Sequence, residues 1–212
     1  MISIIVDGIN ICAKYKVTLE SFEIGMPEPK LVTVEIPGRD GELDMSEALS
    51  GYINYGNRQV NLSIGITGDD KVSESKKQQV LVAVLGKRIK LQLSHLDGYF
   101  LGRCIFSSIS REMAHHTLNL TFSCDPYRYF ISETVQTITL TSTAKDIIFS
   151  NATMPVSPVL ETSADATVKF KEKTYNLKKG THRLGFVFMP GNNVLNVSGI
   201  GTLKVRYRKG VM

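Results

Sequence analysis

Apolar and polar residues alternate along most of this chain, and a period of two is what a β-strand needs to put one face on a core and the other toward water or a neighbour. From Thr117 to Cys124 every even position is apolar and every odd one polar, a pattern that helical packing could not use. The same reading covers Gln59 to Ile66 through Val60, Leu62, Ile64 and Ile66, Arg88 to Leu93 through Ile89, Leu91 and Leu93, and a further strand through Val32, Val34 and Ile36. Asp7-Gly8 and Asp97-Gly98, each between apolar runs, predict tight hairpin turns. One helix stands among the strands. It is expected near residues 73–86, with Ser73 or Ser75 as N-cap, Val80, Leu81, Val84 and Leu85 on one stripe, and Gly86 at its end. The fold class is therefore all-β with one helix.

The pattern changes after Cys124-Asp125-Pro126-Tyr127-Arg128-Tyr129, where a proline that cannot continue a ladder ends a strand. Two domains are expected, residues 1–130 with the helix and residues 131–212. The second holds short strands around Ile138–Leu140, Val168–Phe170, Arg183–Phe188, Val194–Val197 and Leu203–Tyr207. Breaks fall at Pro155, Pro158, Gly180 and Pro190-Gly191-Asn192-Asn193. Strand spacing of this kind is typical of a β-sandwich. There is no internal repeat and no low-complexity segment.

Length and composition leave this architecture intact. The chain has 212 residues, 42% of them apolar, enough for two small cores, with no run near the ~18 apolar residues of a membrane span. No membrane insertion is expected. The N-terminal run lacks a basic n-region and is interrupted by Asp7, Gly8 and Asn10, so no secretory export is expected, and the four N-x-S/T triplets at Asn61, Asn119, Asn151 and Asn196 are chance matches. Cys12, Cys104 and Cys124 form neither a disulfide framework nor a zinc knuckle. Charge does change the picture. The net value is +5, but it divides as −1 over residues 1–130 and +6 over residues 131–212, so the basic excess is C-terminal.

The search for chemistry finds little. His115 and His116 are adjacent on a strand, so they point to opposite faces and cannot easily share a metal, while His95 and His182 lie near turns without companions. Asp40, Glu42 and Asp44 match the opening of a calcium loop, but Met45 stands where that loop needs glycine and Gly51 where it needs a bidentate glutamate. No nucleophile elbow, phosphate-binding loop, HExxH helix or catalytic cysteine motif is present. Lys171, Lys173, Lys178 and Lys179 gather near one turn. Lys204, Arg206 and Arg208 share one side of the last long strand, opposite Leu203, Val205 and Tyr207, and predict a basic outer face. Nucleic-acid modules interleave exposed aromatic rings with such charge, whereas here the rings fall on apolar faces. A solvated face or an acidic protein partner is expected, and no sequence-specific nucleic acid.

The stretch from Ile36 to Ile64, IPGRDGELDMSEALSGYINYGNRQVNLSI, resembles the characteristic segment of siphophage and prophage distal tail proteins, the Dit family. There a P-G-R-[DN]-G-x-x-[DN] element precedes a Leu-Ser/Thr-Gly region and a Y-x-N-R strand, and Pro37, Gly38, Arg39, Asp40, Gly41, Asp44, Ser50, Gly51, Tyr52 and Arg58 match it. The likeness continues through the single helix, the Asp97–Gly102 turn and Asp125-Pro126-Tyr127. In the second half it takes in Asn151, the Pro155–Pro158 region, and Pro190-Gly191-Asn192-Asn193 before a strand and Ser198-Gly199.

The resemblance implies an N-terminal β-sandwich or barrel-like domain that forms a ring and a C-terminal galectin-like β-sandwich that points outward. It implies a non-enzymatic virion structural protein of the tail or baseplate, without cofactors, assembled in the host bacterial cytoplasm as a homo-oligomer, a hexameric ring or stacked hexamers. The ring would lie beneath the tail tube protein, carry the tail-tip hub or tail-associated lysin protein, and surround a channel for the tape measure protein and DNA. Larger relatives insert sugar-binding modules or arms in the second domain, for which this chain has no room. Arg39, Asp40, Gly41 and Arg58 are the expected inter-subunit contacts, with Pro37–Asp44 as an extended element against the next subunit. Two rival functions are a carbohydrate-binding module of a phage tail adhesion device, which saturable glycan binding by the second half would favour, and a tail-tip wall hydrolase, which a cleared zymogram band would favour. Against them stand the lack of tryptophan and of any recognisable carboxylate pair.

Overall fold

The period-two runs of the first half turn their apolar positions to one side of a single sheet. The computed structural model describes residues 2–112 and 115–212 and divides into two units, Met1–Arg128 and Tyr129–Met212. In chain order the first contains β1 (Ile4–Val6), β2 (Ile9–Asn10), α1 (Ile11–Tyr15), β3 (Thr18–Ile24), β4 (Thr33–Glu35), β5 (Glu42–Asp44), β6 (Arg58–Thr67), α2 (Asp70–Val84), β7 (Ile89–Leu93), β8 (Phe100–Glu112) and β9 (His115–Cys124). An antiparallel seven-stranded sheet runs β2-β1-β7-β8-β9-β6-β3, and β4 with β5 makes a separate hairpin. Asp7-Gly8 closes the β1–β2 hairpin and Asp97-Gly98 lies between β7 and β8. Leu118, Leu120, Phe122 and Cys124 of β9 and Val60, Leu62, Ile64 and Ile66 of β6 are all buried. They meet Val80 and Val84 of α2 and Ile11 of α1 in one core.

Both helices are set by their first residues. Asp69 is the N-cap of α2, its carboxylate accepting from the Val72 N–H at 2.8 Å, so the helix starts before Ser73. Ser73 instead lies buried in the first turn and donates to the Gly68 carbonyl. The short α1 was not expected. Its N-cap is Asn10, whose side chain accepts from the Ala13 N–H at 3.0 Å.

Beyond the two-residue strand β10 (Arg128–Tyr129), the second unit contains β11 (Thr134–Leu140), β12 (Lys145–Asn151), β13 (Val159–Thr162), β14 (Ala166–Phe170), β15 (Lys173–Leu177), β16 (Gly180–Arg183), β17 (Gly191–Gly199), β18 (Gly201–Tyr207) and β19 (Gly210–Val211). Two four-stranded sheets, β11-β18-β13-β16 and β12-β17-β14-β15, share one core. Phe188, fully buried, packs against Phe149, Phe170, Phe186 and Tyr207 within it. The strand expected over Arg183–Phe188 lies earlier, at Gly180–Arg183, and the residues after it are irregular apart from a bridge between Phe188 and Val156. Burial of Phe186 and Phe188 produces the alternation there without a ladder. Asn193 fastens the Pro190–Asn193 turn, accepting from the Met189 N–H and donating to the Met189 carbonyl.

The fold is all-β in character, with two helices among the described residues in place of the one expected. No described helix is long and apolar enough to cross a membrane.

Candidate functional site

The connection from β3 to β6 is not a loop over the core but an arm. Its root continues the β3–β6 ladder. The Gly25 N–H donates to the Gln59 carbonyl at 2.8 Å, the Gly56 N–H to Glu28 at 2.8 Å, and the Lys30 N–H to Asn54 at 2.7 Å. Farther out, β4 pairs with β5 through Thr33 opposite Asp44 and Glu35 opposite Glu42. Between them the chain turns through Pro37–Gly41, with Gly38 and Gly41 at φ of 81° and 71°, backbone conformations that residues with a Cβ rarely adopt. Ser46 stabilises the hairpin base, its hydroxyl accepting from the Val32 N–H at 2.9 Å and its N–H donating to the Asp44 carboxylate at 2.8 Å. Hydrogen bonding from the Ser46 hydroxyl, and then from its N–H, holds the Asp44 carboxyl below its ordinary value.

Along this arm only Pro27 and Ser46 are buried between residues 26 and 57. Met26, Leu31, Val32, Val34, Ile36, Met45 and Leu49 are all exposed, Leu49 completely. The strand read through Val32, Val34 and Ile36 therefore exists, but its apolar side faces solvent rather than a core. A two-stranded hairpin is marginal in water, and contiguous exposed apolar side chains mark interaction surfaces.

A second unfinished surface lies on the seven-stranded sheet. β7 pairs with β8 only through Ile89 opposite Gly102, Lys90 opposite Leu101 and Leu91 opposite Phe100, so from Arg103 onward that edge of β8 has no neighbouring strand among the described residues. Ile105 and Phe106 are more than half exposed there, beside a register shift in the β8–β9 ladder. Across β6 and β9 the sheet face opposite the core is polar and mostly uncharged, with Asn61 and Ser63 on β6 and Thr117, Asn119, Thr121 and Ser123 on β9. Ser63 donates to Asn119 at 2.8 Å across that face, and Glu20 and Glu23 of β3 border it.

The expected contact residues separate into two groups. Arg39, Asp40 and Gly41 are exposed on the arm's turn. Arg58 does not join them and is corrected to an interior residue, only 3% exposed, with its guanidinium 5.4 Å from the Phe100 ring centre. Burial lowers its pKa from the usual arginine value, and its Nε and one Nη have no hydrogen-bond partner among the described residues. The resemblance placed it among the contacts, whereas its place at the inward end of the β6 alternation signals burial. On β18, Leu203, Val205 and Tyr207 are buried while Lys204 and Arg206 turn outward, half-buried between β11 and β13. Arg206 lies 4.0 Å from Glu161. Arg208 instead donates to the Phe130 and Ile131 carbonyls and ties down the chain at the start of this unit.

His115 reaches Glu20 at 2.6 Å on one face of β9. His116 is buried on the other, with Nε2 3.7 Å from Asp70, and lines a cavity of about 490 Å³ beside the start of α2. Asp44 bonds to Ser46 and Glu42 lies in the β4–β5 ladder, so the alternate carboxylates of that segment serve the hairpin. Among the described residues no three His, Cys, Asp or Glu side chains gather as metal ligands.

No protein-family model and no curated protein matches the chain. Among solved structures, it is similar to the Dit protein of phage SPP1, whose crystal structure is described as a paradigm of the hub adsorption apparatus in phages that infect Gram-positive bacteria. The two share 13% sequence identity and a TM-score of 0.76, over 100% of each chain. From end to end, this chain has a Dit-like fold.

Proposed function

We propose that the protein is a structural subunit of a phage tail tip, a distal tail protein that closes into a ring, most simply a hexamer, between the tail tube and the host-recognition apparatus. The observation that carries this reading is the arm from Gly25 to Asn57, which exposes seven large apolar side chains that none of the described residues covers. A second copy is the natural cover, since head-to-tail contacts repeat around a ring when the rotation per subunit closes. The unpaired edge of β8 supports the same reading, because a free strand edge accepts a strand from a neighbour. The likeness to the SPP1 Dit protein supports the place in a tail. On this reading the second unit is the outward galectin-like domain, and tail tube and tip hub proteins bind the two ring faces.

The mostly uncharged face bearing Ser63, Thr117, Asn119 and Thr121 suits the wall of the channel. It offers hydration but no row of cations to grip phosphates, so the tape measure protein and then DNA would pass without being held.

Mass photometry and negative-stain images of the purified protein test the proposal. Six-subunit rings are expected. Val34→Lys with Leu49→Lys should yield monomers of unchanged circular dichroism, and Arg39→Ala with Asp40→Ala should weaken assembly. A protein that stays monomeric even when mixed with its tail tube and hub neighbours, or rings that survive the lysine substitutions, would overturn it.

A further inference from the structure

The outer face of the sheet β12-β17-β14-β15 carries a row of functional groups that the core packing does not use. In the register of that sheet Asp146 lies opposite Asn196, Asn196 opposite Lys169, and Lys169 opposite Thr174. All four side chains point away from the core, since their neighbours Val168, Phe170, Leu195 and Val197 are buried. The Asn196 amide donates to the Asp146 carboxylate at 2.6 Å, which fixes a carboxylate and an amide side by side. A depression of about 380 Å³ lies over this row and includes Lys171 from the β14–β15 turn. Two residues along β17, about 7 Å at strand rise, Ser198 opens a second depression of about 520 Å³ with Thr167 and Asn176, the latter pair 3.2 Å apart.

We infer that this face binds an anionic polyhydroxylated polymer, a chain of hydroxyl-bearing units joined by phosphodiesters, lying across the two depressions. Two features select that occupant. Lys178 neutralises Asp165 at 2.6 Å, and although the Asn196 amide leaves the Asp146 carboxylate charged, Lys169 and Lys171 have no acidic partner among the described residues and outnumber it in the depression. The row therefore presents ammonium groups as compact point charges suited to phosphate, flanked by amides and hydroxyls that can both donate to and accept from a polyol.

Other occupants fit less well. Single-stranded nucleic acid would need rings to stack on, but Phe170 and Phe186 are buried and Tyr175 packs against Phe186. A neutral sugar would likewise lack a ring beneath its flat face and would leave the lysines without a role. A protein partner would be expected to bring an apolar centre, and the exposed large apolar side chains along the two depressions are the Ile148–Val194 pair at one end and Ile200 at the other, with polar groups between them. The inference does not depend on ring formation, because every group named belongs to the second unit.

Isothermal titration of the full chain against soluble poly(glycerol phosphate), with polyglutamate and dextran as comparison polymers, tests it. Saturable, salt-sensitive binding to poly(glycerol phosphate) is expected, at least tenfold weaker in Lys169→Gln with Lys171→Gln and unchanged in Lys204→Gln on the other sheet, with all variants folded by circular dichroism. Polyglutamate binding as tight would reduce the site to a plain charge patch and overturn the inference. Dextran binding that survives the lysine substitutions would make it a neutral-sugar site and overturn the inference equally. Loss of affinity in Lys204→Gln alone, or no binding at all, would also sink it.

Discussion

Cys124 shows how closely one position can be constrained. It ends the alternating run of β9 with no exposed surface, and opposite it stands Gly102, where an added Cβ would meet the Cys124 sulfur at 2.5 Å and the Ser123 carbonyl at 2.5 Å. Burial pushes the thiol up to about 12, with the nearby Asp125 carboxylate adding to the shift and Arg58 opposing it. The sign of the linked stability follows. Below about pH 9 the thiol is neutral in both states and costs nothing. Above that, the unfolded chain ionises while the folded one does not, so stability falls by up to about 1.4 kcal/mol per pH unit until the folded thiol itself ionises. Urea melts between pH 8 and 11 should show this alkaline loss in the wild type and a shallower one in Cys124→Ala. Equal slopes would remove Cys124 as the cause.

At the scale of elements, the helix α2 depends on Asp69 rather than on the serines that follow. Asp69→Ala should destabilise the protein by about 1 kcal/mol, the usual cost of losing an N-cap acceptor, as read by urea denaturation, whereas Ser75→Ala should cost little. Strands whose apolar side meets a core were plain from spacing, as Leu118, Leu120 and Phe122 illustrate. Val32, Val34 and Ile36 obey the same spacing yet remain uncovered, because periodicity reports that a face is apolar and not what lies on it. Brevity concealed α1: five residues cannot display a helical stripe, and the available signal was Asn10 as a capping residue. Arg58 was expected at a contact because it matched the family segment, although its place in step with Val60 and Leu62 carried the answer. The grouping of Asp146, Asn196 and Lys169 was hidden for another reason, since ladder register joins three strands distant in sequence.

For the whole molecule, the division at Arg128 and Tyr129 leaves each unit with a separate core. Scanning calorimetry of the full chain should then resolve two transitions. Phe188→Ala, which removes a ring touching four aromatic neighbours, should lower only one of them, by about 3–5 kcal/mol in that unit's stability. A single transition that moves as a whole would mean the two units unfold together.

The way the arm is rooted also bears on how the molecule takes strain. Because its two sides run directly into β3 and β6, adjacent strands of the large sheet, tension applied near Leu49 would travel along those strands and load many backbone bonds at once. Peeling, in which bonds fail one after another, would need a sideways pull. Such a lever is well placed to transmit mechanical force from its tip into the body of the protein without coming loose at its base.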